Sequence, residues 1–271
     1  MLTFKPISLI MKHACHHLAV AALLLLNVTP TANADVVSIA VATNFMEAAR
    51  GLATRFEETS GHSIKLSFGS TGQLYAQISN GAPYDVFLAA DTARPHKAES
   101  AGLAVKDSRF TYARGRLVLV SIKNALFTDG PAYLESGKFA RLAIANPKTA
   151  PYGLAAKQAL DKIGLWHELQ HKIVRGNSIA HTYQFVATGN TEAGFVALSQ
   201  VFSLNATDDK TSYSSWLVPE SFHDPIEQQA VLLSRATDND AAVAFLRFMQ
   251  SDPAQEIIGR YGYGVPERDP V

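Results

Sequence analysis

Residues 36–72 read VVSIAVATNFMEAARGLATRFEETSGHSIKLSFGSTG, and the order of elements in this stretch decides the fold. Val36 to Val41 is a short run rich in β-branched residues, which suits a strand. From Asn44 to Thr59, Phe45, Ala48, Ala49, Leu52 and Phe56 recur at helical spacing. Ser60-Gly61 ends that helix. Ile64 to Phe68 then alternates as a second strand, and Gly72 to Ser79 turns helical again.

The alternation continues outward. Gly81-Ala82-Pro83 is a turn before an apolar strand over Tyr84 to Ala89, and further strands are expected over Leu117 to Val120 and Leu142 to Ala145. Pro151 to Ile163 reads as a helix, with Pro151 at the favourable first position and Gly164 just past the end. Lys172 to Arg175, Ala193 to Leu198 and Ala230 to Leu233 are the remaining strands. Ile179 to Ala187, Ala241 to Met249 and a segment opening at Asp252 are helical. Strands alternating with helices, with no repeat at a fixed period, specify an α/β protein with largely parallel sheets. No Gly/Ser- or Pro-rich linker separates halves, so two lobes joined by crossing strands are expected: residues 35–117, then 118–227, then a return to the first lobe over 228–271.

Composition excludes several classes. With 47% hydrophobic and 18% charged residues the chain is too apolar for disorder, and its net charge of zero argues against a nucleic-acid surface. Lys5 and Lys12 precede an apolar run of about 9 residues, Leu18 to Leu26, followed by Ala32-Asn33-Ala34. That is the layout of a secretory signal peptide over residues 1–34, cleaved between Ala34 and Asp35. The run falls well short of the roughly 20 residues a membrane span needs. Residues 1–34 hold Lys5, Lys12, no acid and the only cysteine, Cys15. The remainder thus carries 22 basic and 24 acidic residues and no thiol. A protein soluble outside the inner membrane is expected.

Four times a strand runs through small polar residues directly into a helix: at Ala42-Thr43-Asn44, Gly69-Ser70-Thr71-Gly72, Thr149-Ala150-Pro151-Tyr152-Gly153 and Gly176-Asn177-Ser178-Ile179. In open α/β sheets ligands sit beyond the carboxyl ends of the strands. A helix start has unpaired N–H groups and a partial positive charge. Two junctions fall in each expected lobe. Aimed at one cleft, they would surround a dianion with neutral donors: the hydroxyls of Thr43, Ser70 and Thr71, the amide of Asn44, and N–H groups near Tyr152 and Ile179. Singly, each is an ordinary helix cap; four in one two-lobed chain are not. The junctions contain no Asp or Glu. This ranks a protonated phosphate, whose hydrogen needs an acceptor, below sulfate or molybdate, which only accept.

These residues carry a family resemblance. AVATN (40–44), FGSTG (68–72), GAPYDVFLAAD (81–91), PKTAPYG (147–153), GFV (194–196) and GRYGY (259–263) resemble the periplasmic molybdate-binding proteins of ABC importers, the ModA family, in order and spacing. The resemblance spans essentially residues 35–265. It implies a type II periplasmic-binding fold, with two α/β lobes on two crossing hinge strands closing on molybdate or tungstate, and delivery to a membrane permease with its ATPase. It implies a monomeric receptor, not an enzyme, with no cofactor and no nucleic-acid partner; the metal would be held only as its oxyanion. Carried over residue by residue, it places contacts at Thr43 and Asn44, at Ser70 or Thr71, and at the backbone of Tyr152 and Ile179. Many members have Ser at the first site and a Tyr late in the second lobe. Here the first site is Thr43-Asn44 and the late position corresponds to Ala197, so Asn44 is expected to replace that donor. A sulfate or thiosulfate receptor is the nearest alternative.

One rival motif competes. His167-Glu168-Leu169-Gln170-His171 matches the H-E-x-x-H of zinc peptidases, with Glu192 a conceivable third ligand. That motif needs a continuous helix. The stop at Gly164 and the strand expected from Lys172 leave none, so a surface turn is expected.

Overall fold

Two five-stranded sheets carry the residues described in this computed structural model, 35–205 and 213–264. The first contains β1 (Val36–Ala42), β2 (Ser63–Gly69), β3 (Val86–Leu88), β4 (Phe110–Gly115) and β10 (Ile226–Leu232), in the order β2-β1-β3-β10-β4. The second contains β5 (Leu117–Ser121), β6 (Leu142–Ala145), β7 (Ile173–Gly176), β8 (Ala193–Ala197) and β9 (Ser214–Leu217), in the order β7-β6-β8-β5-β9. The leader expected over residues 1–34 lies outside the described residues. Among the described residues no helix is long and apolar enough to cross a membrane.

The chain changes sheet twice. Arg116 alone separates β4 from β5, and the return runs from the end of β9 at Leu217 to the start of β10 at Ile226. These crossings explain a departure from the expected parallel sheets. β1 is parallel to β2 and β3, and β6 is parallel to β7 and β8. β10 and β5 re-enter from the other lobe and run antiparallel to both their neighbours. The sheets are therefore mixed, parallel where strand–helix units build them and antiparallel where the crossing strands are inserted.

Helices cover both faces. After a 3₁₀ turn at Thr43–Phe45 come α1 (Met46–Ser60), α2 (Thr71–Ser79) and α3 (Ala93–Ser100) in the first lobe, with α9 (Asp240–Met249) and α10 (Asp252–Arg260) after β10. The second lobe holds α4 (Gly130–Ser136), α5 (Pro151–Lys162), α6 (Trp166–Leu169), α7 (Ile179–Ala187) and α8 (Leu198–Asn205). The apolar stripe read from the sequence is the buried face of α1: Ala48, Ala49, Leu52, Ala53 and Phe56. Gly61 ends that helix at φ 75°, a left-handed conformation that costs glycine nothing. Phe56 packs edge-on against Phe245 of α9 with ring centroids 5.3 Å apart. Ala42 and Ala90 of the first lobe belong to the same buried cluster as Tyr152, Ala155 and Phe195 of the second, so the lobes are packed together at the strand ends.

Candidate functional site

Register sets the site. Ala42 pairs with Gly69 at the ends of β1 and β2, so Thr43 and Ser70 emerge side by side. Ala145 pairs with Gly176, so the loops entering α5 and α7 also emerge side by side. Contacts across the cleft join the two pairs. The Gly72 N–H donates to the Thr149 carbonyl at 2.9 Å, and the Ala180 N–H donates to Thr43 Oγ1 at 3.4 Å. Ser199 Oγ on α8 donates to the Asn44 carbonyl at 2.9 Å, and Arg94 Nη2 donates to the Lys148 carbonyl at 3.1 Å. All four junctions thus meet between the lobes. Thr43, Asn44, Ser70, Thr71, Tyr152 and Ile179 are all buried.

Each junction presents helix-start donors for a local reason. Ser70 caps α2 in a capping box with Gln73, its hydroxyl 2.9 Å from Gln73 Oε1. Thr71 Oγ1 accepts the Ala90 N–H at 3.0 Å, which ties the loop after β3 to the site. At α5, Pro151 has no N–H, and the Gly153 and Leu154 N–H groups turn back to the Ala150 carbonyl. This leaves the Tyr152 N–H without an intrahelical acceptor. Gly153 is required there, since a Cβ would lie 2.2 Å from the Ala145 carbonyl oxygen. At α7, Ser178 Oγ accepts the His181 N–H at 3.2 Å, and the Ile179 carbonyl accepts from Gln200 Nε2 at 3.3 Å. None of the residues gathered here, from 43–44, 70–72, 149–153 and 177–180, carries a charge. Oriented neutral dipoles are then what the site offers, and they suit an ionised oxyanion. Beside Thr43 and Asn44 a cleft of about 300 Å³ opens between the lobes, lined also by Glu47, Tyr183 and Gln184.

Behind these donors lies a buried polar network that sequence reasoning does not reach. Asn44 Nδ2 donates to Gln228 Oε1 at 2.8 Å and to Tyr263 Oη at 3.2 Å. Tyr263 Oη donates to the Asn44 carbonyl at 2.6 Å and lies 3.0 Å from Ser199 Oγ. Tyr112 Oη sits 3.1 Å from Gln228 Oε1 and 3.1 Å from the Ala89 carbonyl, while Gln228 Nε2 donates to Tyr152 Oη at 3.3 Å. Burial pushes the hydroxyls of Tyr112, Tyr152 and Tyr263 up from the ordinary tyrosine value, so they stay protonated and neutral. A signal for Gln228 is present in the sequence: in IEQQAVL it occupies the same strand phase as Ile226, Ala230 and Leu232, a polar residue on the buried side. The family resemblance has Asn44 standing in for a missing tyrosine donor; its side-chain amide is engaged by Gln228 and Tyr263.

The zinc motif is broken by local structure. His167 and Glu168 lie on the four-residue α6, and His171 lies on the following 3₁₀ turn at Gln170–Lys172. The Glu192 carboxylate accepts the backbone N–H groups of Ala140 and Arg141 at 3.3 and 2.9 Å. Among the described residues no group of three His, Cys, Asp or Glu is arranged to hold a metal.

Two lobes on crossing strands, with helix starts opposed across the gap, define a solute receptor of the kind that binds between its lobes. Residues 37–264 match the sequence model of a family described as bacterial extracellular solute-binding protein. A molybdate-binding protein ModA of Azotobacter vinelandii is 50% identical over 235 residues, which cover 86% of this chain and 92% of that protein. One of Rhodobacter capsulatus is 46% identical over 234 residues, covering 86% and 90%. The solved Azotobacter vinelandii periplasmic molybdate-binding protein superposes with a TM-score of 0.81 at 39% identity, covering 85% of this chain and 100% of that one. The chain belongs to the bacterial extracellular solute-binding protein family, in the branch of the molybdate-binding ModA proteins. It is a receptor and not an enzyme.

Proposed function

We propose that the chain captures molybdate, and tungstate with it, in the periplasm as a monomer and hands it to the permease and ATPase of an ABC importer. The meeting of four uncharged helix-start junctions between the lobes carries this reading, and the names of the close relatives support it. The proposed donors are the Thr43 hydroxyl, the hydroxyl of Thr71 or, once turned from Gln73, of Ser70, and the helix-start N–H groups of Asn44, Tyr152 and Ile179. Because Asn44 Nδ2 already donates to Gln228 and Tyr263, the part of Asn44 that meets the anion is its N–H, with the side chain holding it in place. No resident cofactor is needed. The bound ion bridges the lobes and favours the closed form, which the permease distinguishes from the open one.

Isothermal titration of ligand-stripped protein with molybdate, tungstate, sulfate and phosphate tests this. The first two are expected to bind one-to-one, with the others silent. Heat with sulfate alone would keep the fold and transfer the site to a sulfate receptor. A thermal melt gives a second readout: at a thousandfold excess over Kd, a ligand specific to the folded state adds roughly 4 kcal/mol of stability.

Thr43→Ala removes one donor to a buried charged ligand. Binding is expected to weaken by about 1.5–3 kcal/mol, roughly tenfold to hundredfold, with the melting temperature of the empty protein little changed. A Kd within a factor of two or so of wild type would place the anion elsewhere.

A further inference from the structure

We infer that Gln228 is the positioning residue that holds the two halves of the oxyanion site in register through the hinge. It lies on the returning strand β10, is fully buried, and joins Asn44 and Tyr112 of the first lobe to Tyr152 of the second. Asn44 and Tyr152 belong to opposite half-sites. Their side chains also interact directly, and Gln228 bonds to both. The pairing of β10 with β4 shifts register here, from Gln228 opposite Ala113 to Gln229 opposite Thr111, which leaves Tyr112 of β4 as the extra residue.

Gly115, the last residue before the first crossing, leaves the space through which the contact is made. A Cβ there would lie 2.2 Å from Tyr152 Oη and 2.9 Å from Gln228 Nε2. The Gln228–Tyr152 bond therefore sits on the hinge itself, where a small rotation of one lobe changes its length directly. Its ends are neutral groups, so it orients the helix-start donors without placing a charge beside a dianion. Leucine at 228 would fill similar space and leave Asn44 Nδ2 and the Tyr152 hydroxyl without this partner. Phenylalanine at 152 would remove only the hydroxyl, keeping the ring and the backbone N–H.

The positioning role of Gln228 rests on the oxyanion reading. Its test is molybdate binding to wild type, Q228L, Y152F and the double variant, by titration and by stopped-flow protein fluorescence. Each single variant is expected to weaken binding about tenfold, through faster dissociation with association unchanged. The double variant should lose less than the product of the two single penalties, since the Gln228–Tyr152 bond is common to both changes. A residue serving stability only would lower the melting temperature and leave the dissociation rate alone. Should Q228L fold poorly, Y152F decides by itself. Variants that bind within twofold of wild type, or penalties that multiply in full, overturn the inference. If wild type gives no heat with molybdate or tungstate, the oxyanion reading has failed and the role of Gln228 falls with it. That outcome differs visibly from a wild type that binds and variants that bind equally well.

Discussion

Asn44→Asp is expected to abolish measurable molybdate binding near pH 8 while Asn44→Ala only weakens it. Asn44 is buried to 4% exposure between the Thr43 junction and the Gln228–Tyr263 network. An aspartate there is nearly the same shape, but it puts a carboxylate beside a bound dianion in a site built from uncharged donors. Leaving a buried charge uncompensated costs roughly 3–5 kcal/mol, which is hundredfold to several thousandfold in Kd. The alanine variant keeps the backbone N–H that meets the anion and loses only the side-chain bonds to Gln228 and Tyr263 that hold it in place, about 0.5–1.5 kcal/mol each. The sign of the pH dependence follows: the anion favours the protonated carboxyl, so binding to the aspartate variant should recover as pH falls toward 6. Titrations of both variants at pH 6 and pH 8, with melting curves to verify folding, check this. Equal losses at both pH values would mean that the side chain of residue 44 is too far from the anion for its charge to be felt.

Gly153→Ala is expected to damage both binding and stability. The added Cβ would lie 2.2 Å from the Ala145 carbonyl oxygen and 2.6 Å from its carbon, and both are backbone atoms of β6 that cannot swing away. The start of α5 must retreat by about 1 Å to restore van der Waals contact. Overpacking of this kind costs roughly 1–3 kcal/mol, more than the few tenths to 1 kcal/mol that alanine gains over glycine in a helix. The same retreat carries the Tyr152 N–H away from the cleft and stretches the Tyr152–Gln228 bond, so molybdate affinity should fall by about a hundredfold. Gly164→Ala is the control, since Gly164 at φ 78° meets nothing within 4 Å of an added Cβ. It strains only its own backbone and should lower stability without changing Kd. Unchanged binding in Gly153→Ala would remove the α5 start from the site.

Why these positions are legible in the sequence, and others not, follows from what local sequence encodes. Thr43, Ser70 and Ser178 announce helix starts by residue type alone, and strands such as LVLV at 117–120 and LAIA at 142–145 are uniform enough to read directly. Strands β4, FTYARG, and β9, SSWL, lack a clean alternation because each borrows its burial from a partner far away in sequence. Helix α3, ARPHKAES, buries only Pro95 and Ala98, too little to set a period, and α4 begins with Gly-Pro, which reads as a turn. The helix-start donors can be named because the backbone supplies them wherever a helix begins. The polar network cannot, because Gln228 and Tyr263 meet Asn44, and Tyr112 meets Gln228, only through tertiary folding. Gln228 leaves one local trace, its place on an apolar strand phase, and that trace says buried without saying by what.

The place of β10 between β3 and β4 has a consequence for how the molecule is made. Strands β5 to β9 come from one uninterrupted stretch, so the second lobe can close its sheet as soon as that stretch is available. The first lobe cannot, because Leu88 must wait for Ala230 and Ala113 for Gln228. Pairings of such long sequence separation form slowly, since chain entropy is lost before the contacts compensate. In a polypeptide synthesised from its amino end, Thr43 and Ser70 exist early but stand on a sheet with a gap in it. The strand that fills the gap also carries Gln228. Completion of the first lobe and assembly of the network behind Asn44 are therefore one late event, and a chain truncated before residue 226 should hold a folded second lobe and no functional receptor.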